Sequence, residues 1–519
     1  MTFTATNPYT INHHNGVNIT NQLLPFSIFL DEFRKKLNKV FYERSDINNL
    51  SLRRGLPPFV LREIMSCNPL SVGIPTSYGG RGGYIHENLA ILAAASYESL
   101  ALSLTLGINS ALFLQPVAKY GNENIKASIF KKFLHDKNMG GLMITEPDHG
   151  SDALAMETFH TYQNGHYHID GTKHWGGLTG WADFWLLTAR QQTKDKGLKR
   201  DIDFFICDVN SPGQNIVVEE FFENSGLLLI PYGRNRIDVE IPEIQRLQPQ
   251  TTGVKMMIDL LHRSRMHYPG MGMGFIKRML DEALDHCKMR YVGGKNLISY
   301  DQVQGRISRL QSSYTICSAF CVQSSDKAAL NNDLSANGIE ANTIKSVTAD
   351  MMQEAAQSLL QLVGAKGYKT DHIAGRAIMD SRPFQIFEGS NDILYMQITE
   401  SVMKLMKGFH SRNLLSFMKD YNLTSRASDY CKDLLSFNID TQLTQRKLVE
   451  LGQIISRTIS MNFVIQLGDS GYKKDLITNA IHEIHLDITA LVSVFSKTNH
   501  NKIIDNYQEN SSWLNYLPT

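Results

Sequence analysis

Met143-Ile-Thr-Glu-Pro-Asp-His-Gly-Ser-Asp-Ala153 is the segment on which the organisation of this chain turns. An apolar, strand-like run enters a stretch holding Pro147, Gly150, Ser151 and Asp152, a combination that reverses the backbone and leaves hydroxyls and amides free for a planar or anionic ligand. The hydrophobic period differs on either side of it. From about Gly140 to Glu243 the period is two, with β-branched and aromatic residues between Asn-Gly, Asp-Gly and Pro-Gly turns. Thr158 to Tyr162 and His166 to Asp170 flank Gln163-Asn164-Gly165 and predict a hairpin. Further strands are predicted at Phe184 to Ala189, Asp203 to Cys207 and Ile216 to Phe222.

Upstream the spacing is helical over Ser27 to Asn38, Pro58 to Cys67, Tyr84 to Ser110 and Asn122 to His135. It becomes helical again from Val254 to Arg290, Tyr300 to Asn332 and Gly338 to Val363, long enough for a bundle. Asp440 to Val464 and Asp475 to Ser496 predict two more amphipathic helices, joined by a polar turn at Gly468 to Lys473. The expected fold is α+β: an N-terminal α-helical domain over 1–137, a middle β domain over 138–249, a C-terminal helical bundle over 250–412 and an appended helical extension over 413–519. Val72-Gly-Ile-Pro-Thr-Ser-Tyr-Gly-Gly-Arg-Gly-Gly83 lacks a surrounding strand-then-helix unit, so it reads as a structural loop rather than a dinucleotide site.

Composition narrows the classes. In 519 residues, 52 basic and 51 acidic side chains nearly cancel, so no global field favours nucleic acid or an anionic membrane. No run of about 18 consecutive apolar residues suggests a membrane span. The polar segment from Met1 to Gly16 reads as a frayed arm without a secretory pattern, and the Asn-rich end also reads as frayed. Six scattered cysteines suit a reducing cytoplasm rather than a disulfide framework. Neither Cys317 with Cys321 nor His482 with His485 has the further ligands of a metal set, so no metal is expected.

A second segment, Gln385-Ile-Phe-Glu-Gly-Ser-Asn-Asp-Ile393, sets one carboxylate, Glu388, between Ile386-Phe387 and Gly389. Apolar surroundings disfavour the charged form and raise its basicity, which suits a general base, although most glutamates are simply exposed. Taken together, the two segments resemble the acyl-CoA dehydrogenase family, over roughly residues 55 to 410. The resemblance implies orthogonal or barrel-like β-sheets, a four-helix bundle, and FAD-dependent conversion of an acyl-CoA to the trans-2-enoyl-CoA. Glu388 is then the base, with hydride passing to flavin N5. Some relatives carry the base on the helix after the β domain, where this chain has Ser264 and no acid.

The same resemblance implies that Met143, Thr145 and Ser151 contact the cofactor, and that Ser151 also faces substrate with Arg265 and Gly389. Trp175 would wall one face of the flavin ring. Gly177 stands where relatives carry a flavin-bonding threonine, so that contact would come from a backbone amide, from Thr179 after a shift, or be absent. Arg290, Gln302, Gln361 and Ala365 would reach a neighbouring subunit's FAD, and Ser390 and Asp392 would touch the cofactor beyond Gly389. Glu400 and Gly293 depart from the family's arginine and phenylalanine. The implied assembly is a homodimer or homotetramer, with an electron-transfer flavoprotein as acceptor; the extension parallels a longer one in very-long-chain members and would favour a dimer. An acyl-CoA oxidase and an acyl-carrier-protein-specific dehydrogenase share these signatures. A flavin monooxygenase or non-catalytic relative is expected to lack Glu388. The apolar run Leu102 to Ile108 suggests medium or longer acyl chains.

Overall fold

The computed structural model describes residues 23–409, 411–497 and 502–505. The arm predicted at Met1 to Gly16 and most of the Asn-rich end lie outside them. Among the described residues seven α-helices precede the sheet: α1 (Phe26–Asn38), α2 (Ile47–Ser51), α3 (Pro58–Met65), α4 (Ile85–Glu98), α5 (Leu100–Gly107), α6 (Gln115–Tyr120) and α7 (Glu123–Lys131). Asp46 caps α2 by accepting from the Asn49 amide, and Pro58 opens α3, where a missing N–H costs nothing. The single helix predicted from Tyr84 to Ser110 is two. Ser99 is extended, at φ −151°, and its hydroxyl accepts from the Leu102 amide, so α5 starts afresh on a serine cap. Among the described residues, Leu100–Tyr120 is the one helical stretch long and apolar enough to cross a membrane, and 94% of that window is buried inside the protein, as a core helix is.

The β region is a curled sheet of β1 (Gly140–Met143), β2 (Phe159–Gln163), β3 (His166–His174), β4 (Phe184–Gln191), β5 (Asp203–Asp208), β6 (Gln214–Phe221) and β7 (Gly233–Pro242). The strands run in the order β1-β4-β2-β3-β7-β6, with β5 also on β4. β4 has partners along both edges and is buried nearly throughout, whereas β7 alternates buried and exposed residues as a half-covered strand does. The predicted hairpin forms with Tyr162 opposite Tyr167, and its tip puts Asn164 and Gly165 at φ +51° and +80°, the pair of left-handed residues that a tight two-residue turn requires.

Beyond the sheet lie α8 (Gly253–Arg265), α9 (Tyr268–Met289), a small hairpin of β8 (Tyr291–Val292) and β9 (Lys295–Asn296), α10 (Asp301–Lys327), α11 (Gly338–Val363), α12 (Ile373–Ser381) and α13 (Asn391–Gly408). The helix predicted from Val254 to Arg290 breaks at Met266-His267, and Pro269 sits in the first turn of α9, which needs no donor there. α9 lies directly on α4: a Cβ on Gly274 would fall 2.0 Å from the Ala93 carbonyl oxygen.

The appended segment adds α14 (Leu414–Asp420), α15 (Lys432–Leu435), α16 (Gln445–Asp469) and α17 (Lys474–Phe495). α16 starts later than its apolar pattern suggested because Thr444 caps it, and it continues through Gly468, so the polar turn is shorter than predicted. It packs against α13, α10 and α17 with buried Leu451, Ile454, Ile455, Ile459 and Phe463, which makes the extension part of the core. Burying five such side chains contributes on the order of 10 kcal/mol before conformational entropy is counted.

Candidate active site

The first turn is held by charge. Lys173, fully buried on β3, donates to Glu146 Oε1 at 2.8 Å, to Thr188 Oγ1 at 3.1 Å and to the Ile144 carbonyl at 3.2 Å. Glu146 in turn accepts from the Glu157 and Thr158 amides, so both ends of the loop are tied to one buried ion pair. Burial pulls the Lys173 ammonium down to about 8, against the pull of Glu146. Met143 is buried at the end of β1, Thr145 is half-buried with its carbonyl accepting from the His174 amide, and Ser151 is exposed.

Trp175 follows β3 at φ +57°, a left-handed backbone that a bulky residue adopts only when its surroundings hold it there. It is not a core tryptophan. The residue is 52% exposed, and its ring lies 4.5 Å from the Phe222 ring and 6.1 Å from the Tyr232 ring. Behind it a Cβ on Gly177 would meet Ile108 Cδ1 at 2.9 Å and the Tyr232 ring at 3.3 Å, so a larger side chain there would crowd both. Thr179 lies beside Gly176. It is buried, donates to the Gly176 carbonyl at 2.7 Å and accepts from Asn235 Nδ2 at 3.0 Å, which leaves its hydroxyl committed to the protein. Asn235 Oδ1, beside it, is a buried acceptor without a donor among the described residues. An exposed tryptophan, small residues at 176 and 177, and an unpaired buried acceptor fit a planar heterocycle with N–H donors, as FAD has.

The second turn carries the carboxylate. Glu388 has φ +55° and Gly389 φ +91°, two successive left-handed residues after the turn Arg382–Gln385. Such a conformation costs about 1–3 kcal/mol at the glutamate and persists because its carbonyl groups are held. Arg265 donates to the Glu388 carbonyl through Nε at 3.1 Å and Nη2 at 2.7 Å, and through Nη1 to Asn342 Oδ1 at 2.7 Å. Lys345 donates to the Gly389 carbonyl at 2.8 Å and to Asn391 Oδ1 at 2.9 Å. Gly389 has no room for a side chain: a Cβ would lie 2.9 Å from Leu394 Cδ2 and 3.3 Å from Arg265 Nη2.

The Glu388 side chain is treated asymmetrically. Oε1 accepts from Ser264 Oγ at 2.8 Å, while Oε2 is buried and has no hydrogen-bond partner among the described residues. Burial raises its pKa above the ordinary carboxylate value, and Ser264, Arg265 and Lys345 hold that rise back. Lys345 is brought down to about 7 by burial and by Arg265. The flanking residues differ from the expected apolar pair, because Ile386 is exposed. Phe387 instead packs with Phe384 and Tyr268, at ring separations of 4.9 and 6.3 Å. Tyr268 is fully buried with an unpartnered hydroxyl, and burial together with the Glu388 charge raises the pKa of both Tyr268 and Tyr232.

The structure therefore brings Glu388, Gly389 and Arg265 together, and Tyr232 links that group to Trp175. Arg265 is buried and clamps the turn. Ser390 precedes α13 without capping it, and Asp392 is exposed in its first turn. Arg290, Gln302, Gln361 and Ala365 are all exposed and share no hydrogen bond with the Glu388 group. Burial lowers the His286 pKa at the end of α9, and the charges of Arg290 and Lys366 lower it further. Tyr232, Tyr268 and Lys345 carry no mark in the sequence patterns of the two turns. A lysine at a core position of α11 was the available signal for Lys345; Tyr232 lies in a loop with no pattern to mark it.

Family models match three successive parts of the chain: acyl-CoA dehydrogenase N-terminal domain at 30–137, middle domain at 141–238 and C-terminal domain at 251–403. An acyl-CoA dehydrogenase of Bacillus subtilis (strain 168) is 25% identical over 352 residues, 67% of this chain and 90% of that protein. The acyl-CoA dehydrogenase of Bacillus anthracis complexed with FAD has the same fold, with TM-score 0.73 at 16% identity, over 92% of this chain and 89% of that one. The prolyl acyl carrier protein oxidase AnaB shares it at TM-score 0.63 and 16% identity, over 72% of this chain and 99% of that one. With all three domain models of the family matched in order, this chain belongs to the acyl-CoA dehydrogenase family of oxidoreductases and has FAD as its cofactor.

Proposed function

We propose that the protein dehydrogenates an acyl thioester between its α- and β-carbons, with Glu388 as the base. The observation that carries this reading is the free, buried Oε2 beside an Oε1 that Ser264 already occupies. An oxygen with no donor, in surroundings that favour its protonated form, is poised to take the α-proton. FAD, when bound, supplies the acceptor for the hydride that leaves the β-carbon. The α C–H pair becomes the new π bond and the proton rests on Glu388. Trp175, Tyr232 and Ile108 exclude water around the reacting carbons, and Arg265 with Lys345 keeps the turn from shifting as charge moves.

Met143, Thr145, Ser151, Trp175, Ser390 and Asp392 are proposed to contact FAD on the same chain, and Ser151, Arg265 and Gly389 the thioester. The exposure of Arg290, Gln302, Gln361 and Ala365 supports a role toward a neighbour's FAD, hence a homodimer or homotetramer. The boundaries 137/138, 249/250 and 412/413 are proposed as those of its domains. Its six free cysteines suit the cytoplasm, and an electron-transfer flavoprotein is the proposed acceptor. A second reading, an oxidase, is favoured by the commitment of Thr179 and the absence of a hydroxyl at Gly177, which alter the flavin surroundings; a carrier-protein thioester presents the same phosphopantetheine arm as CoA and is the other alternative. Anaerobic titration with acyl-CoA and acyl-carrier-protein panels, followed by oxygen, separates these.

The direct test is Glu388→Gln. The amide keeps the size of the side chain but cannot take the proton, so flavin reduction slows by about a hundred to ten thousandfold while FAD loading stays near wild type. Reduction at the wild-type rate would show that Glu388 is not the base.

A further inference from the structure

Asp350, on α11, stands where the turn of Glu388 meets the appended helices. Its Oδ1 accepts from Gln385 Nε2 and from Asn391 Nδ2, both at 2.7 Å, three residues before and three after Glu388. Its Oδ2 accepts from the Tyr395 hydroxyl at 2.6 Å and faces Arg457 Nη2 at 3.9 Å. Arg457 belongs to α16, beyond the residues that the family models match. Its Nε lies 3.3 Å from Asp487 Oδ2 on α17, and the same oxygen accepts from Arg309 Nη2 at 2.9 Å. Arg309 is itself fixed on α10 by a two-point bond to Glu354 of α11, at 2.9 and 3.1 Å.

The path is contiguous from the extension to the base. Arg457 neutralises Asp350, Asp350 pins both shoulders of the turn, and Asn391, so pinned, accepts from the lysine that holds the Gly389 carbonyl. A turn with two left-handed residues in succession relaxes when its shoulders are released. Without Arg457 the Asp350 carboxylate loses the guanidinium that faces it and is free to turn, loosening Gln385 and Asn391.

We propose that Arg457, held by Asp487, is a positioning residue through which the appended helices keep the turn of Glu388 in its catalytic geometry. This inference rests on the reading of Glu388 as the base. The extension is then a working part of the site, not only an added surface.

The test uses the full-length, FAD-loaded protein with Arg457→Met and Arg457→Lys. Each variant is mixed anaerobically with whichever straight-chain acyl-CoA reduces the wild type fastest, and the loss of flavin colour is timed. Binding of a non-reactive thioether analogue and thermal unfolding are measured alongside. The expected result is a reduction rate about 10- to 100-fold lower in Arg457→Met, the cost of a displacement near 1 Å, with analogue affinity near wild type and most of the rate restored in Arg457→Lys. A folded, FAD-loaded Arg457→Met that reduces at the wild-type rate overturns the inference, as does a loss of rate matched by an equal loss of affinity. If Arg457→Met does not fold, Asp487→Asn loosens the same guanidinium: slower reduction supports the proposal and an unchanged rate overturns it. Should Glu388→Gln be inert while Arg457→Met runs at full speed, only the positioning role fails; should Glu388→Gln run at full speed, the base assignment itself fails.

Discussion

Removing the hydroxyl of Ser264 isolates the one hydrogen bond that the Glu388 side chain accepts among the described residues. That bond is 2.8 Å long and ends on Oε1, while Oε2 has no partner, so Ser264→Ala leaves the carboxylate without any. A hydrogen bond to a charged group contributes about 1.5–3 kcal/mol, and 1.36 kcal/mol corresponds to one pH unit. Burial raises the Glu388 pKa and Ser264 holds it down, so losing Ser264 moves ionisation to higher pH. Catalysis needs the anion, so the acid limb of the flavin-reduction rate should move up by about one to two pH units, with the plateau rate nearly unchanged. A water entering the space of the hydroxyl would bring the shift to the lower end. The measurement is the single-turnover reduction rate from pH 5 to 9 for wild type and variant at saturating acyl-CoA. Arg265 and Lys345 also face the carboxylate, but both are present in both proteins and do not contribute to the difference. An acid limb that stays in place, or moves down, would refute the assignment of Ser264 as a stabiliser of the basic form.

Trp175→Ala should weaken FAD binding. With 52% of a roughly 250 Å² side chain exposed, a stacked ring can cover up to about 130 Å², or about 3 kcal/mol, so the FAD dissociation constant should rise about 10- to 100-fold; an unchanged titration of apoprotein would count against an aromatic wall there. Gly452→Ala should loosen the extension, because the new Cβ would fall 2.1 Å from the Tyr395 carbonyl oxygen, a backbone atom with little freedom to yield. A loss of about 1–3 kcal/mol in urea unfolding is expected, and a wild-type midpoint would show that α16 does not pack on α13 this closely.

What the sequence determined by itself was local. The hairpin at Asn164-Gly165 depends on two residues with left-handed conformations, and the Glu388-Gly389 turn on a glycine where no Cβ fits, so both were legible within a few residues. The order of helices, strands and helices followed from period alone. Ser99 breaks a run whose apolar spacing is uninterrupted, because a cap formed by one hydroxyl outweighs a pattern that α4 and α5 otherwise share. The pairings that tune the site were not legible. Ser264 reaches Glu388 across 124 positions, Arg265 reaches its carbonyl across 123, and Arg457 meets Asp350 from a segment that read only as an amphipathic helix. Turn chemistry is written in adjacent residues, whereas a carboxylate's hydrogen bonds and ionisation depend on which helices pack around it, and that is decided only when the whole core closes.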